Sequence, residues 1–395
     1  MRKSFLSFAP PDLGEEEIAE VVDTLRSDWI TTGPKVQRFE ADFAAYVGAE
    51  SAAALSSCTA ALHLGLLVAG VRPGDIVVST PMTFSSSIHV IEHLGATPVL
   101  VDVEPDTLNI DPAAVERALG DAGGKAKAVL PVHLHGHPAD LEPILDSARR
   151  HHAAVIEDAA HSLPARYRGR LIGEPDPDWD DVLNLVAFSF YATKNLTTAE
   201  GGMLTGPRKR IDEARVWGLH GMSRDAHKRY ESGGSWQYDV LVPGFKYNMT
   251  DIQAAIGIHQ LRRLEAMQAR RRQIVSCYDE ALAELDAMEL PRPRPDVEPA
   301  WHIFAIRLNL DRLRIGRAEF IDRLARLNIG TSVHFIPVHL MTYYRERYGY
   351  RPDDFPVANS QFERLVSLPL SARMSDQDVA DVIEAVREVA RAALR

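Results

Sequence analysis

Cysteine is scarce in this 395-residue chain: only Cys58 and Cys277 occur, far apart and in helical contexts. No disulfide framework or thiolate metal site can be built from them, and a reducing, cytoplasmic setting fits. Basic residues are in deficit, 44 Lys and Arg against 55 Asp and Glu, for a formal net charge of −11. That excludes a bulk phosphate-backbone binder, so no nucleic-acid partner is expected, although a single anionic metabolite can still bind locally. No uncharged apolar run is long enough to span a bilayer, so no membrane partner is expected. The N-terminal run Phe5-Leu6-Ser7-Phe8 is too short and broken for a signal peptide. A Gly-x-Gly-x-x-Gly after the first strand and a Walker A loop are both missing, which removes dehydrogenase and P-loop readings.

What is present is an ordinary globular composition, 46% hydrophobic and 25% charged, in a chain long enough for two domains. Residues 15–27 carry Ile18, Val21, Val22 and Leu25 at helical spacing behind three acidic residues, and a second helix with Val36, Phe39, Phe43 and Val47 on one face runs to Gly48. Core packing is expected of both. From residue 76 short β-branched runs alternate with amphipathic stretches: strands at 76–78, 98–102, 128–132 and 153–158, helices at 85–94, 111–119 and 141–151. This is the βαβ pattern of a mainly parallel sheet. Residues 218–244 read as a long loop, 250–273 as a long helix with further helix to 290, and Pro291-Arg292-Pro293-Arg294-Pro295 as a stiff break. Beyond it come strands at 301–308 and 330–335 and helices at 316–327 and 377–393, an α+β pattern suited to a smaller domain.

One lysine stands out. Lys194 lies between the strand-like run Phe188-Ser189-Phe190-Tyr191 and the Gly201-Gly202 turn, a poor place for a solvated lysine, and is expected to form a Schiff base. A lysine that attacks a carbonyl must spend time as the free amine, which requires an apolar or cation-flanked site. Asp158 ends a strand, where ligands of such sheets sit. Near Ser57 and Thr59, either of which can cap, small residues open a nearly wholly apolar helix whose free N–H groups suit an anion. Lysine, carboxylate and anion cradle are the three fixtures that pyridoxal phosphate requires. The alternating His133, His135 and His137 point to one face if they lie on a strand, but no carboxylate or Cys follows at ligand spacing, so no metal is expected. Arg270-Arg271-Arg272 reads as a solvated helix face.

Along nearly its full length the chain resembles the fold-type-I pyridoxal-phosphate aminotransferases of nucleotide-linked keto sugars, the DegT/DnrJ/EryC1/StrS family. Residues 57–64, Thr83-Phe84, 156–162, 188–195 and 247–255 carry the resemblance. Residues 333–339 and 343–348 look closest to the branch making 4-amino-4-deoxy sugars, such as the 4-amino-4-deoxyarabinose enzymes. The resemblance implies an α/β fold: a mainly parallel, seven-stranded-type sheet in a large domain (1–263) and a smaller C-terminal α+β domain (264–395). It implies Lys194 as Schiff-base lysine and proton carrier, Asp158 opposite the pyridinium nitrogen, and Phe84 against the cofactor ring. Thr59, Ala60 and Ser189 match phosphate ligands, Asn248 a residue reaching the phosphate from the partner subunit of a homodimer, and His161 a position near the ring hydroxyl. For the substrate's diphosphate, Arg224, Lys228, Arg229, His334 and His339 are candidates. The implied reaction moves an amino group from L-glutamate to a nucleotide-diphospho-keto-sugar. A sugar dehydratase, in which relatives replace the lysine by histidine, and a noncatalytic sensor of the same fold are the rivals.

Overall fold

In a computed structural model the protein is described over residues 2–223 and 238–395. Two helices, α1 (Glu15–Arg26) and α2 (Pro34–Val47), lead into β1 (Ser51–Leu55). Alternation follows: α3 (Cys58–Val68), β2 (Ile76–Ser79), α4 (Ser86–His93), β3 (Thr97–Leu100), α5 (Pro112–Asp121), β4 (Ala126–Val129), α6 (Leu141–His151) and β5 (Ala154–Asp158). The short strands β6 (Arg166–Tyr167) and β7 (Arg170–Leu171) precede β8 (Asn184–Ser189), β9 (Gly202–Gly206), α7 (Arg208–Gly218) and the long α8 (Asp251–Leu282). The C-terminal part holds β10 (Met288–Glu289), β11 (Val297–Glu298), β12 (Phe304–Leu308), α9 (Arg317–Arg326), α10 (Thr342–Tyr348), α11 (Pro356–Arg364), β13 (Leu365–Leu368) and α12 (Asp376–Ala393). Among the described residues no helix is long and apolar enough to cross a membrane.

Seven strands form one sheet in the order β1-β9-β8-β5-β4-β2-β3, parallel from β8 to β3 and antiparallel where β9 meets β8 and β1. Its strands are buried on both faces, so successive residues feed different cores: Val155, Val186 and Phe188 one, Ile156, Leu185 and Ala187 the other. Asp158 and Ser189 finish the adjacent strands β5 and β8, with Asp158 opposite Ala187. A third core gathers the small sheet β10-β12-β13, α9 and α12. Helix α8 serves two cores, the first through Ile258, Leu264 and Met267 and the third through Ile274, Tyr278 and Leu282.

Several expectations need correction. Helix α1 forms, but inside out: Ile18 (52%), Val22 (37%) and Leu25 (58%) are exposed while Glu17 and Thr24 are buried. Polar partners on α8 turn it round, since Glu17 accepts from Gln260 (2.8 Å) and Arg263 (2.9 Å), and Glu20 bonds His259 (2.9 Å). Residues 330–335 form no strand; a single bridge joins Ser332 to Ser367 before the chain turns away, Val338 N–H bonding to the Pro81 carbonyl. Helix α8 stops at Leu282 instead of continuing to 290, where the chain pairs as β10. The three histidines do not share a strand face, because Leu134–Gly136 is a 3-10 turn with His135 at φ +60°. His133 bonds Glu157 (2.7 Å) and His135 the carbonyl of His334 (2.8 Å). Arg271 is buried, donating to the carbonyls of Leu370 (3.0 Å) and Trp301 (3.4 Å).

Asp251 ties the start of α8 to the start of α2. Its buried carboxylate accepts from the backbone N–H groups of Gly33 (2.8 Å), Val36 (2.9 Å) and Lys35 (3.1 Å), donors left open at a helix N-terminus. Asp251→Ala strands these donors and should lower stability by about 3 kcal/mol. The fall in denaturant midpoint measures it, and Asp251→Asn, which keeps one acceptor oxygen, should lose less.

Candidate active site

The site forms where the β8–β9 connection folds over the carboxyl edge of the sheet. Phe190 N–H bonds to the Gly201 carbonyl (2.9 Å), Thr198 N–H to the Phe190 carbonyl (2.9 Å), and Lys194 N–H closes a turn onto Tyr191 (2.9 Å). Gly202 lets this connection meet the start of α3. A Cβ there would lie 2.4 Å from the Ser57 carbonyl carbon and 2.5 Å from Cys58 N, so any side chain would push the two apart. Ser57, not Thr59, caps α3, its hydroxyl accepting from Ala60 N–H (3.1 Å).

A cavity of about 480 Å³ opens there, and Lys194, Asp158, Thr59, Phe84, His161, Ser189 and His334 all line it. Phe84 is 58% exposed, with Phe335 at 5.8 Å. The Asp158 carboxylate is buried and accepts from Ser87 Oγ (2.7 Å) and Ala160 N–H (3.1 Å). A carboxylate only accepts, so Ser87 donates to it and in turn accepts from Thr83 Oγ1 (2.7 Å). Burial pushes the Asp158 carboxyl up, while Ser87, Ala160, Lys194 and His133 oppose the shift. Among the described residues Asp158 has no ion pair, which leaves room for a cation that arrives with a ligand.

Lys194 is half-buried, and desolvation brings its ammonium down to about 8, Cys58 and Asp158 pulling the other way. His161 is buried with Nδ1 unpartnered, its ring stacked on Phe335 at 5.5 Å. Burial above all, with Lys194, His302, His334 and His135 close by, keeps it neutral. His334 is likewise held down to about 3 by burial, His135 and Lys194, and its Nδ1 lies 2.9 Å from Ser367 Oγ. It therefore offers hydrogen bonding but no charge at neutral pH.

Three other expected residues, Ala60, His339 and Asn248, do not line this cavity. The Ala60 N–H is taken by Ser57. His339 is wholly buried against Phe355 at 4.8 Å. Asn248 lines a second groove with Thr32 and Leu55, donating to Thr32 Oγ1 (2.6 Å) and accepting from Lys246 Nζ (2.6 Å). Arg224, Lys228 and Arg229 lie outside the described residues. Sequence reasoning missed Ser87, Cys58, Tyr191 and His302. Ser87 follows Phe84 by nearly one helical turn, a spacing with no motif attached; His302 could have been found as the polar member of an apolar, strand-like run.

Sheet order, cavity position and the lysine after β8 define the class: fold-type-I, pyridoxal-phosphate-dependent transferases. The profile of the DegT/DnrJ/EryC1/StrS aminotransferase family matches residues 11–387, and the chain belongs to that family. It is 48% identical over 394 residues to the spore coat polysaccharide biosynthesis protein SpsC of Bacillus subtilis, covering 99% of both chains. An uncharacterized protein of Methanocaldococcus jannaschii is 47% identical over 390 residues, 98% of each. Among solved structures, Spr1654 from Streptococcus pneumoniae, assigned as a sugar aminotransferase, superposes with a TM-score of 0.90 in its PLP form. That pair is 34% identical over 99% of this chain and all of the other, and the PMP form gives 0.91 at 35%, over 98% of this chain and all of the other.

With its ammonium near 8, Lys194 should react with an amine-acylating reagent in the cofactor-free protein at a rate rising with pH to a midpoint near 8. Below that pH the proton blocks the nucleophile; an unperturbed lysine would show its midpoint near ~10.4. Peptide mapping at Lys194 across the pH series reads the difference.

Proposed function

We propose that this protein is a pyridoxal-phosphate-dependent aminotransferase that moves an amino group from L-glutamate to the keto carbon of a nucleotide-diphospho-sugar, a 4-keto sugar. One observation carries the reading: a lysine with a depressed ammonium shares a cavity with a buried carboxylate that has no ion pair among the described residues, and with the open start of α3. The family and the PLP and PMP forms of Spr1654 support the cofactor and the reaction class. The nucleotide and the donor rest on the family resemblance of residues 57–64, 83–84, 156–162, 188–195 and 247–255, and the 4-keto position on that of residues 333–339 and 343–348.

When bound, the cofactor supplies a sink for the electron pair left as a substrate C–H bond breaks. Asp158 would hold the ring-nitrogen end, its charged form favoured by the hydrogen bonds from Ser87 and Ala160 N–H against the upward push of burial. Thr59 and Ser189, with the dipole of α3, hold the phosphate end. Phe84 offers an exposed aromatic face to the ring, and His161 a neutral imidazole. Lys194 would take the proton from the donor carbon on Nζ and hand it on to the bound cofactor, and in the second half-reaction would carry a proton the opposite way, to the sugar carbon. Composite sites in a homodimer complete the proposal. Two features support a second copy: the outward apolar stripe of α1, and Asn248 held outside its own cavity.

The purified holoenzyme should show a visible cofactor band that L-glutamate bleaches, and Lys194→Ala should abolish the response. A band indifferent to L-glutamate and to that substitution would sink the aminotransferase reading. Ser87→Ala removes a charge-assisted hydrogen bond worth about 1.5–3 kcal/mol, so cofactor retention should weaken roughly 10- to 100-fold in equilibrium dialysis.

A further inference from the structure

His302 precedes β12 on a segment bound to the turn at 135–136: Ala300 N–H donates to the Gly136 carbonyl (2.8 Å) and Ile303 N–H to that of His135 (3.2 Å). Gly136, at φ +93°, permits the approach, since a Cβ there would lie 2.8 Å from the His161 carbonyl oxygen and 3.1 Å from His302 N. The His161 and His302 rings stand 4.6 Å apart, and both line the cavity with Lys194.

Asn195 follows Lys194 directly and is buried. Its Nδ2 donates to the carbonyls of Leu163 (3.0 Å) and Ala300 (2.8 Å), which can only accept, so the orientation of the amide is forced. Oδ1 is left facing His302 Nδ1 at 3.1 Å. An amide oxygen donates nothing, so Nδ1 carries the ring proton. A neutral imidazole has only one, and Nε2 is therefore a bare lone pair. Burial first, then Lys194, Arg271, His334 and His135, hold the ring neutral. Asn195 does not line the cavity and His302 does, so the Nε2 edge is the one turned toward it. Among the described residues nothing bonds to Nε2.

We infer that His302 is a positioning residue for Lys194, its Nε2 accepting a hydrogen bond from the lysine amine, with Asn195 locking the tautomer that makes this possible. The inference rests on the reading of Lys194 as proton carrier. When the substrate C–H bond breaks, the electron pair stays on carbon and the proton passes to Nζ. The resulting ammonium faces Asp158, Cys58 and the neutral His161, His302 and His334 in a partly desolvated cavity. Asp158 already accepts from Ser87 and Ala160. A neutral acceptor steadies the ammonium without removing its proton, so Nζ delivers that proton onward and returns to the amine.

The test uses holoenzyme labelled with ¹⁵N-histidine, the His302 signals assigned by their loss in His302→Gln. The expected spectrum has the proton on Nδ1 and a bare Nε2, unchanged between about pH 6 and 9; Asn195→Ala should mix the tautomers. In single turnovers with L-glutamate, His302→Phe should bleach the cofactor band at least about tenfold more slowly. His302→Gln, whose Oε1 accepts, should recover most of that rate. In the cofactor-free protein His302→Phe should move the pH midpoint of Lys194 acylation downward, because the ammonium has lost its acceptor. A merely structural role would move melting temperature and cofactor retention, but not that midpoint. A wild-type ring protonated on Nε2, or unchanged bleaching and midpoint in His302→Phe, overturns the inference. If His302→Phe fails to fold, His302→Gln and Asn195→Ala carry the spectroscopic arm alone. A wild-type enzyme that ignores every amino acid fails the proposed function instead, while tautomer and acylation midpoint still decide this inference.

Discussion

Burial of the Asp158 carboxylate at the end of β5 is the constraint on which the rest of the site depends. A carboxylate taken out of water must be compensated, and its first compensation is a relay running from Thr83 through Ser87. That relay requires the start of α4 to lie against the end of β5, which the parallel order of the strands provides. A hydroxyl and one backbone N–H satisfy the oxygens without cancelling the charge. The cavity is thereby left with an acceptor poised for a cation and a lysine that burial discourages from being one.

The histidines answer to the same economy. His161, His302 and His334 stand near Lys194 with His135 beside them, and burial above all, with neighbouring positive charge, keeps all four neutral. Charging any of them would compete with the ammonium of Lys194 for the same desolvated space. Their value lies in directed lone pairs and N–H groups, fixed by Asn195, Ser367 and backbone carbonyls. Two of the four, His302 and His334, come from the C-terminal part of the chain, so this histidine wall is assembled by packing the small sheet against the large one.

Much of this was legible in the chain. The βαβ alternation, the strand-end aspartate and the helix opening at Ser57 follow from periodicity and capping chemistry, and the structure keeps them nearly residue for residue. Three kinds of feature escaped. Periodicity identified α1 as a helix with a stripe but could not say which face turns inward; Glu17, Gln260 and Arg263 decided that across about 240 positions of sequence separation. A single left-handed residue, His135, broke the presumed strand face of three histidines. Ser87 needed tertiary contacts, since nothing local distinguishes a serine one turn along a helix from its neighbours, and the polar position of His302 in its apolar run named no chemistry until Asn195 and the cavity were in place.

The polarity of the cavity has a simpler origin than its side chains. One end is a strand terminus carrying a negative charge; the other is a helix terminus whose N–H groups present a positive field. These ends are held together by Gly202, because the chain that brings Lys194 back into β9 must pass within 2.4 Å, measured from where a Cβ would sit, of the Ser57 backbone. A ligand with a cationic ring nitrogen and an anionic phosphate matches this axis in one orientation only. Lys194, whose connection is anchored by Gly202 at one end and whose neighbour Asn195 is tied to Leu163 and Ala300, lines the same cavity as both ends. The axis of the cavity is thus set by backbone placement of opposite charges.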